Sequence, residues 1–286
     1  MPLKESVNRR IGAFEDALAL SNGKRHTERL FAGIDLGTSY IVTAVVNEDG
    51  APVAGRVTRS RSSVRDGLVL DYIGAIGILT RQVEDLRGAG FPIETASAAY
   101  PPGTTGRNAQ AFGNVVRAAG LELCGLIDEP TAASLVLDVG DGAVVDIGGG
   151  TTGISILKDG EVIYTADEPT GGTHIDLVLA GHYGIDKDEA EELKRDPARQ
   201  KEILQLIRPV FQKMASIVSV HTKGFSPQTI YLVGGTSCFS GIETVVREET
   251  GLTTVKPHNP MLVTPLGIAL SCARESTKQD ATRRDE

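Results

Sequence analysis

Tryptophan is absent from this 286-residue sequence, and cysteine, histidine and aromatic residues are scarce, at three cysteines, five histidines and 5% aromatics. The cysteines, Cys124, Cys238 and Cys272, are odd in number and far apart, with no Cys-x-x-Cys pair or Cys/His cluster among them. This spacing argues against a structural zinc site, whose ligands come in close pairs. It favours small free thiols in a reducing compartment.

The chain also lacks an excess of basic residues. Its 29 Lys and Arg face 37 Asp and Glu, which gives a net charge of −8 and a pI near 5.3. Such a balance disfavours binding to nucleic acid or to an anionic membrane. The apolar runs fall short of a membrane span, and the N-terminus lacks the apolar core of a signal peptide. We therefore expect a cytoplasmic protein, of one large or two modest domains, with neither nucleic acid nor membrane as a partner.

Two stretches share one unusual pattern of strand, glycine turn and strand. "FAGIDLGTSYIVTAVV" (31–46) contains Asp35 before a Gly-Thr turn, and "AVVDIGGGTTGIS" contains Asp146 in the same place before three glycines. Asp-Gly turns at 49–50 and 159–160 then end the second strand of each unit, and Asp-Gly between apolar runs is a strong hairpin signal. The sequence therefore contains an internal repeat.

Helical and strand patterns alternate along the rest of the chain. Helices are predicted at 73–86, 108–119, 186–196, 203–221 and 263–275. Alternation of this kind in both halves indicates an α/β protein with two related sheets.

The N-terminal segment reads as a separate element. Val7, Ile11, Phe14 and Leu18 repeat at helical spacing with charged residues between them. A stripe of this kind is usually a helix packed on its own protein. A docking peptide for a partner or a shell is the alternative.

The glycine turns suit a phosphate group that arrives with a metal ion. Backbone amides in such turns cradle anions, and the hydroxyls of Thr38, Thr151 and Thr152 would add donors. Asp35 and Asp146 would repel bare phosphate, but they suit magnesium held through water. The repeat therefore predicts a nucleotide-phosphate site.

Two further motifs bear on the same chemistry. Gly234-Gly235-Thr236 follows a strand and precedes a helix, so it could receive the adenosine of a nucleotide. Glu129, in "DEPTAA", is either a catalytic acid or a solvated carboxylate at a helix N-terminus, where its charge is favourable. Taken alone, its residue pattern favours the structural interpretation.

The order of "GIDLGT", "DEPTAA", "VDIGGGTTGISI" and "LVGGTSCFSGI" resembles the actin-like ATPase superfamily, which includes actin, MreB, DnaK-type chaperones and sugar kinases. Within it, "VRDGLVLDYIGAI", "PPGTTGR" and "YTADEPTGGTHIDLVLAG" are similar to the chaperone-like family of ethanolamine utilization, and the likeness covers residues 30 to about 275. The resemblance implies a duplicated ribonuclease-H-like α/β fold, with two lobes around a nucleotide cleft and small insertion subdomains reduced or absent. The implied divisions are an extension (1–29), a first lobe (30–140, completed by 263–275), a second lobe (141–262) and a disordered charged tail (276–286).

The resemblance also implies roles for residues that match the superfamily's motifs. Asp35 and Asp146 would hold Mg²⁺ through water, and Glu129 would orient the attacking water. Thr152 would also be catalytic, and Glu191 and Lys194 would flank the base. The residues implied to contact the phosphates of ATP are Gly37, Thr38, Ser39, Gly148, Gly149, Gly150, Thr151 and Thr152, and those implied to contact the adenosine are Gly234, Gly235, Thr236 and Ser237.

Departures from the DnaK pattern limit the activity that the resemblance implies. Gly153 stands where DnaK-type proteins have another aspartate, and residues 57–68 are too short for the insertion domain that supplies their lysine. No peptide-binding domain is expected after residue 275.

We expect an ATP- and Mg²⁺-binding, chaperone-like accessory protein of ethanolamine utilization. It would hydrolyse ATP slowly, associate with a bacterial microcompartment and act on a protein client. The alternative is a non-hydrolysing nucleotide-binding module that signals to a partner. A small-molecule kinase is disfavoured because no acid in the first lobe suits activation of an acceptor hydroxyl.

Overall fold

The structure is a computed structural model that describes residues 3–19, 26–60, 64–65, 68–69 and 71–285. The chain divides into two compact units. The first unit contains Lys4–Asp138 and Leu262–Glu286, and the second contains Val139–Met261 together with Met1–Leu3.

Helices and strands alternate along the described chain. The elements, in chain order, are α1 (Glu5–Leu18), β1 (Leu30–Leu36), β2 (Tyr40–Asn47), β3 (Pro52–Arg59), β4 (Val64–Arg65), β5 (Leu68–Val69), α2 (Tyr72–Gly88), β6 (Thr95–Tyr100), α3 (Gly106–Ala118), β7 (Glu122–Asp128), α4 (Glu129–Leu137), β8 (Gly142–Ile147), β9 (Thr152–Lys158), β10 (Glu161–Glu168), α5 (Gly172–Tyr183), α6 (Lys187–Arg195), α7 (Gln200–Thr222), β11 (Thr229–Val233), α8 (Ile242–Thr250), β12 (Thr253–Val255) and α9 (Val263–Asp285).

The two units contain sheets of the same topology. The strand order is β3-β2-β1-β6-β7 in the first unit and β10-β9-β8-β11-β12 in the second. In each sheet the first three strands pair antiparallel, and the last two continue parallel to the central strand. The predicted internal repeat and the α/β fold class are thus confirmed.

Hairpin turns join the antiparallel strands where the sequence predicts them. Gly50 has φ of 74° in the first unit, and in the second unit Asp159 and Gly160 have φ of 52° and 82°. Two successive residues with positive φ are the signature of a type I′ turn, whose twist matches that of the flanking strands.

Helix α1 packs on the first unit through β3. Val7, Ile11 and Phe14 are buried, and a Cβ on Gly55 of β3 would lie 2.7 Å from Cε2 of Phe14. The packing interpretation of the N-terminal stripe is therefore the one that the structure supports, and the apolar face of α1 is not a free docking surface.

Helix α9 closes the first unit against β1. A Cβ on Gly33 would lie 2.5 Å from Pro265 O and 2.8 Å from Ala269 Cα, so only glycine allows this approach. The helix runs on to Asp285. The sequence-based division instead places a charged, disordered tail at 276–286, and that expectation stays a prediction.

Helix α7 is the main core helix of the second unit. Its buried side chains are Ile203, Ile207, Phe211, Met214, Ala215, Val218 and Thr222. Contrary to the sequence-based expectation, it is long and apolar enough by composition to cross a membrane, with a mean hydropathy of 1.2 over 18 residues. The core helix of a soluble protein meets the same criterion, so this is weak support for membrane insertion.

Candidate functional site

The first glycine turn connects β1 to β2 in the first unit. Asp35 pairs in register with Val42 near the end of the hairpin. A Cβ on Gly37 would lie 2.7 Å from Tyr40 O, so the turn requires glycine there. Gly37, Thr38 and Ser39 are all partly exposed, and the turn therefore presents its atoms to solvent at the end of the strand pair.

The second glycine turn connects β8 to β9 in the second unit and has the same plan. Asp146 pairs in register with Gly153, and the amide of Gly148 donates to Thr151 O at 3.0 Å to close the turn. The Asp146 residue is only 7% exposed. A charged side chain this deeply buried points to a site that compensates its charge.

The N-terminus of α5 fixes the orientation of this turn. The amide of Gly172 donates to Gly148 O at 3.0 Å, and that of Thr173 donates to Gly149 O at 2.8 Å. In a trans peptide the carbonyl and the following N–H point in opposite directions. The amides of Gly149 and Gly150 are therefore directed away from α5, as a phosphate cradle requires.

Gly171 lets α5 approach the turn this closely. A Cβ on Gly171 would lie 2.7 Å from Gly149 O and 2.8 Å from Gly148 O, which are backbone atoms that cannot yield. The residue pattern gave Gly171 no role, although its Gly-Gly pair just before a helical pattern was visible in "TGGTHID".

The third glycine turn follows β11 in the second unit. Gly234 has φ of 89°, and a Cβ there would collide with the Asp146 carboxylate and lie 2.6 Å from Ile147 O. Gly235 is exposed. The third turn therefore lies directly against the second, at the buried aspartate.

The hydroxyls of this turn are used by the protein itself. Thr236 Oγ1 donates to Gly148 O at 2.7 Å, and Ser237 Oγ donates to Val233 O at 2.7 Å. Ser237 is fully buried. Both side chains therefore hold loops in place, a role that differs from the direct adenosine contact that the resemblance implies for them.

Thr152 likewise has a backbone partner. Its side chain is fully buried, and its Oγ1 donates to Thr170 O at 2.6 Å. The hydroxyl proton is therefore donated to a carbonyl two residues after the end of β10, and Thr151, which is partly exposed, is better placed to meet a ligand.

Lys194 and Glu191 lie on α6 of the second unit. Lys194 Nζ forms an ion pair with Asp176 Oδ1 of α5 at 2.6 Å. Burial raises the pKa of Asp176, Lys194 acts to lower it, and Glu191 adds to the rise. The residue pattern missed Asp176, because its partner is 18 residues away and meets it only through the packing of α6 on α5.

Glu129 begins α4 in the first unit, directly after β7. The preceding Asp128 caps this helix, since its Oδ1 accepts from Thr131 N at 3.0 Å, and Pro130 follows in the first turn. Glu129 is partly exposed. The capping task thus falls to Asp128, and the Glu129 carboxylate is not the cap.

Comparison with known proteins identifies the family. The chain is 42% identical to the ethanolamine utilization protein EutJ of Escherichia coli (strain K12) over 244 residues, which cover 85% of this chain and 86% of that protein. The crystal structure of EutJ from Carboxydothermus hydrogenoformans matches with a TM-score of 0.87 and 44% identity, covering 93% of this chain and 98% of the other. The chain belongs to the EutJ family of ethanolamine utilization proteins.

More distant matches show the same fold in PilM and MreB proteins. The family described as "Type IV pilus assembly protein PilM" matches residues 139–271, and "MreB/Mbl protein" matches residues 54–184. MreB5 of Spiroplasma citri bound to AMPPNP has a TM-score of 0.72 at 18% identity, covering 90% of this chain and 99% of the other. The expected two-lobed actin-like fold is thereby shown.

The described residues of this EutJ-family chain offer carboxylates but no complete protein cage for a metal. No group of three or more His, Cys, Asp or Glu among them is placed to hold an ion. Mg²⁺ is usually bound by one or two carboxylates, phosphate oxygens and water rather than by the protein alone. The buried Asp146 and the partly exposed Asp35 fit that mode.

Proposed function

We propose that this chain is an ATP- and Mg²⁺-binding, chaperone-like accessory protein of ethanolamine utilization. The observation that carries the proposal is the Gly148 carbonyl, which accepts from both Gly172 N and Thr236 Oγ1. This one atom joins the second glycine turn, the start of α5 and the third glycine turn. Three separate segments are thus held as one rigid frame, which is the preorganisation that a phosphate ligand requires.

The chain's own groups would bind the nucleotide as follows. The amides of Gly149 and Gly150 and the hydroxyl of Thr151 would donate to phosphate oxygens. The resemblance to the superfamily implies the matching role in the first unit for Thr38 and Ser39. Support for a nucleotide as the ligand comes from MreB5 of Spiroplasma citri, whose structure is bound to AMPPNP.

Asp35 and Asp146 are the residues that would hold magnesium through water. The ion would supply positive charge against the phosphates, which the carboxylates alone would repel. Gly234 contributes by leaving room for the Asp146 carboxylate, since a Cβ there would collide with it.

Hydrolysis would be slow. Glu129 would orient a water for attack, in the way that positioned carboxylates contribute to phosphoryl transfer. Gly153 supplies no carboxylate in the strand after the phosphate turn, and the Thr152 hydroxyl already donates to Thr170 O.

The Thr152 bond also supports the second candidate, a nucleotide-binding module that signals to a partner without hydrolysis. Phosphate release from wild type and from Glu129→Ala distinguishes the two candidates. A rate that falls in the variant supports the slow ATPase, and equal rates support the module.

Calorimetric titration with ATP, with Mg²⁺ or with EDTA, tests the binding proposal. We expect Asp35→Ala and Asp146→Ala each to abolish metal-dependent binding while far-UV circular dichroism stays unchanged. Asp141→Asn is the matched control, because Asp141 is an exposed acid just before β8. Unchanged ATP affinity in both alanine variants would refute the proposed site.

The proposed partner is a protein client of the ethanolamine pathway or of its microcompartment, with the chain itself in the cytoplasm. A pull-down from cells growing on ethanolamine, with and without ATP, tests this part. We expect a pathway protein whose capture depends on ATP. Identical captures with and without ATP would contradict a nucleotide-controlled role.

A further inference from the structure

Asp176 is a nearly inaccessible carboxylate on the second turn of α5. Its side chain is 3% exposed, and its Oδ1 lies 2.6 Å from Lys194 Nζ, whose side chain is 14% exposed. Removing either partner would leave a buried charge without compensation, which is costly. An apolar pair would fill the same space without this cost in stability, which indicates that the ion pair has a role beyond packing.

The ammonium group of this pair lies where the second and third glycine turns meet. Lys194 Nζ is 3.5 Å from Gly172 O. A Cβ on Gly172 would lie 3.3 Å from Lys194 Nζ and 3.6 Å from Gly148 O, and it would collide with Thr236 Oγ1. The ammonium therefore lies beside the frame that joins the second and third turns.

A second contact fixes the helix that carries the lysine. Gln200 Nε2 donates to the backbone carbonyl of Lys194 at 3.3 Å, while Gln200 Oε1 accepts from Ser240 N at 3.0 Å. The end of α6 is thus tied to the segment that follows the third turn. Both the backbone and the side chain of Lys194 are held.

The charge of the pair indicates which part of a nucleotide it meets. An ammonium has three donors, of which one serves Asp176 and another points at Gly172 O. Because the Asp176 carboxylate neutralises Lys194, the pair is a weak attractant for phosphate. It is instead suited to donate a hydrogen bond to an uncharged acceptor, such as a ribose hydroxyl or a base edge.

We infer that Asp176 is a positioning residue for nucleoside recognition: its 2.6 Å contact holds Lys194 Nζ at the junction of the glycine turns, where the free ammonium donor meets the nucleoside half of ATP. This inference rests on the proposed nucleotide-binding function. It assigns Asp176 an indirect role, exerted through the lysine.

The test compares two probes, ATP and inorganic tripolyphosphate, each with Mg²⁺, by titration calorimetry. Tripolyphosphate has the same phosphate chain but lacks the nucleoside. We expect Asp176→Asn to weaken ATP binding by about tenfold or more, as loss of a charge-assisted hydrogen bond predicts, while tripolyphosphate affinity changes by less than about twofold. Glu192→Gln, an exposed acid on α6, is the matched control and should leave both affinities unchanged.

A neutral pair guards against misfolding as the cause. Asp176→Asn combined with Lys194→Gln leaves no uncompensated buried charge, and it should bind ATP no more weakly than Lys194→Gln alone, because both residues act through one ammonium. Additive losses, equal weakening of both probes, or wild-type ATP affinity in Asp176→Asn would overturn the role of Asp176. Wild-type protein that binds neither probe would overturn the proposed function as well.

Discussion

Replacing Gly234 with alanine tests the central geometry of the second unit. With φ of 89°, Gly234 has a conformation that costs a residue with a side chain about 1–2 kcal/mol. The added methyl would also lie 2.6 Å from Ile147 O and 2.8 Å from Ile147 C, both of them backbone atoms. Forcing atoms into such a packed region costs about 1–3 kcal/mol more. We therefore expect Gly234→Ala to lower the free energy of unfolding by about 2–5 kcal/mol.

The neighbouring glycine provides the matched control. Gly235 has φ of −62° and ψ of −36°, which any residue adopts, and the nearest atom to its added Cβ is Met261 Cγ at 4.0 Å. Gly235→Ala should therefore stabilise the protein by about 0.4–1 kcal/mol through the unfolded state.

Urea unfolding followed by circular dichroism measures both variants. The same collision displaces the Asp146 carboxylate, so Gly234→Ala should also weaken Mg²⁺-dependent ATP binding. A Gly234→Ala variant within about 0.5 kcal/mol of wild type would show that the third turn does not lie against Asp146 as described.

Three other variants test single contacts. Phe14→Ala removes a fully buried ring of α1 and should cost about 3–5 kcal/mol of stability, whereas the exposed Ala13→Ser should cost little; equal urea midpoints would contradict the packing of α1. Thr152→Val loses the bond to Thr170 O and should lower unfolding free energy by about 1–3 kcal/mol without nucleotide present, with the partly exposed Thr151→Val as its control; a loss seen only with ATP would mean that the hydroxyl serves the ligand. Hydrogen bonding with the Cys272 side chain first, and with Ser276 second, lowers the pKa of Cys124 to about 7, so alkylation of Cys124, followed by mass spectrometry, should rise with pH about a midpoint near 7. In Cys272→Ala that midpoint should move upward, and an unchanged midpoint would refute the thiol–thiol contact.

The repeated hairpin was predictable because its signals are local. Asp159-Gly160 has both the residue types and the positive φ of a hairpin turn. One strand ends directly before this turn and the next begins directly after it. The capped helix at 186–196 was local in the same sense, since Asp186 Oδ1 accepts from Glu189 N only three residues on. Helix and strand existence could therefore be derived from short windows.

The partners of the candidate site residues could not be derived in that way. Thr236 donates to Gly148 across 88 residues, and Thr152 donates to Thr170 across 18. A hydroxyl in a glycine turn suggests a ligand contact. The packing of distant segments decides whether that hydroxyl donates to a backbone carbonyl instead. Sequence patterns place residues in a loop, but the fold determines which way their donors point.

The position of α9 in the chain sets the order in which the two units can fold during synthesis on the ribosome. Val139–Met261 is one uninterrupted segment, so the second unit has all of its residues as soon as that segment has emerged. The first unit begins earlier but lacks the helix that covers β1, where Gly33 closely approaches Pro265 and Ala269. Its nascent sheet must therefore wait, with one face of β1 uncovered, until α9 has emerged after the whole second unit, which reverses the usual N-terminal-first sequence of domain folding.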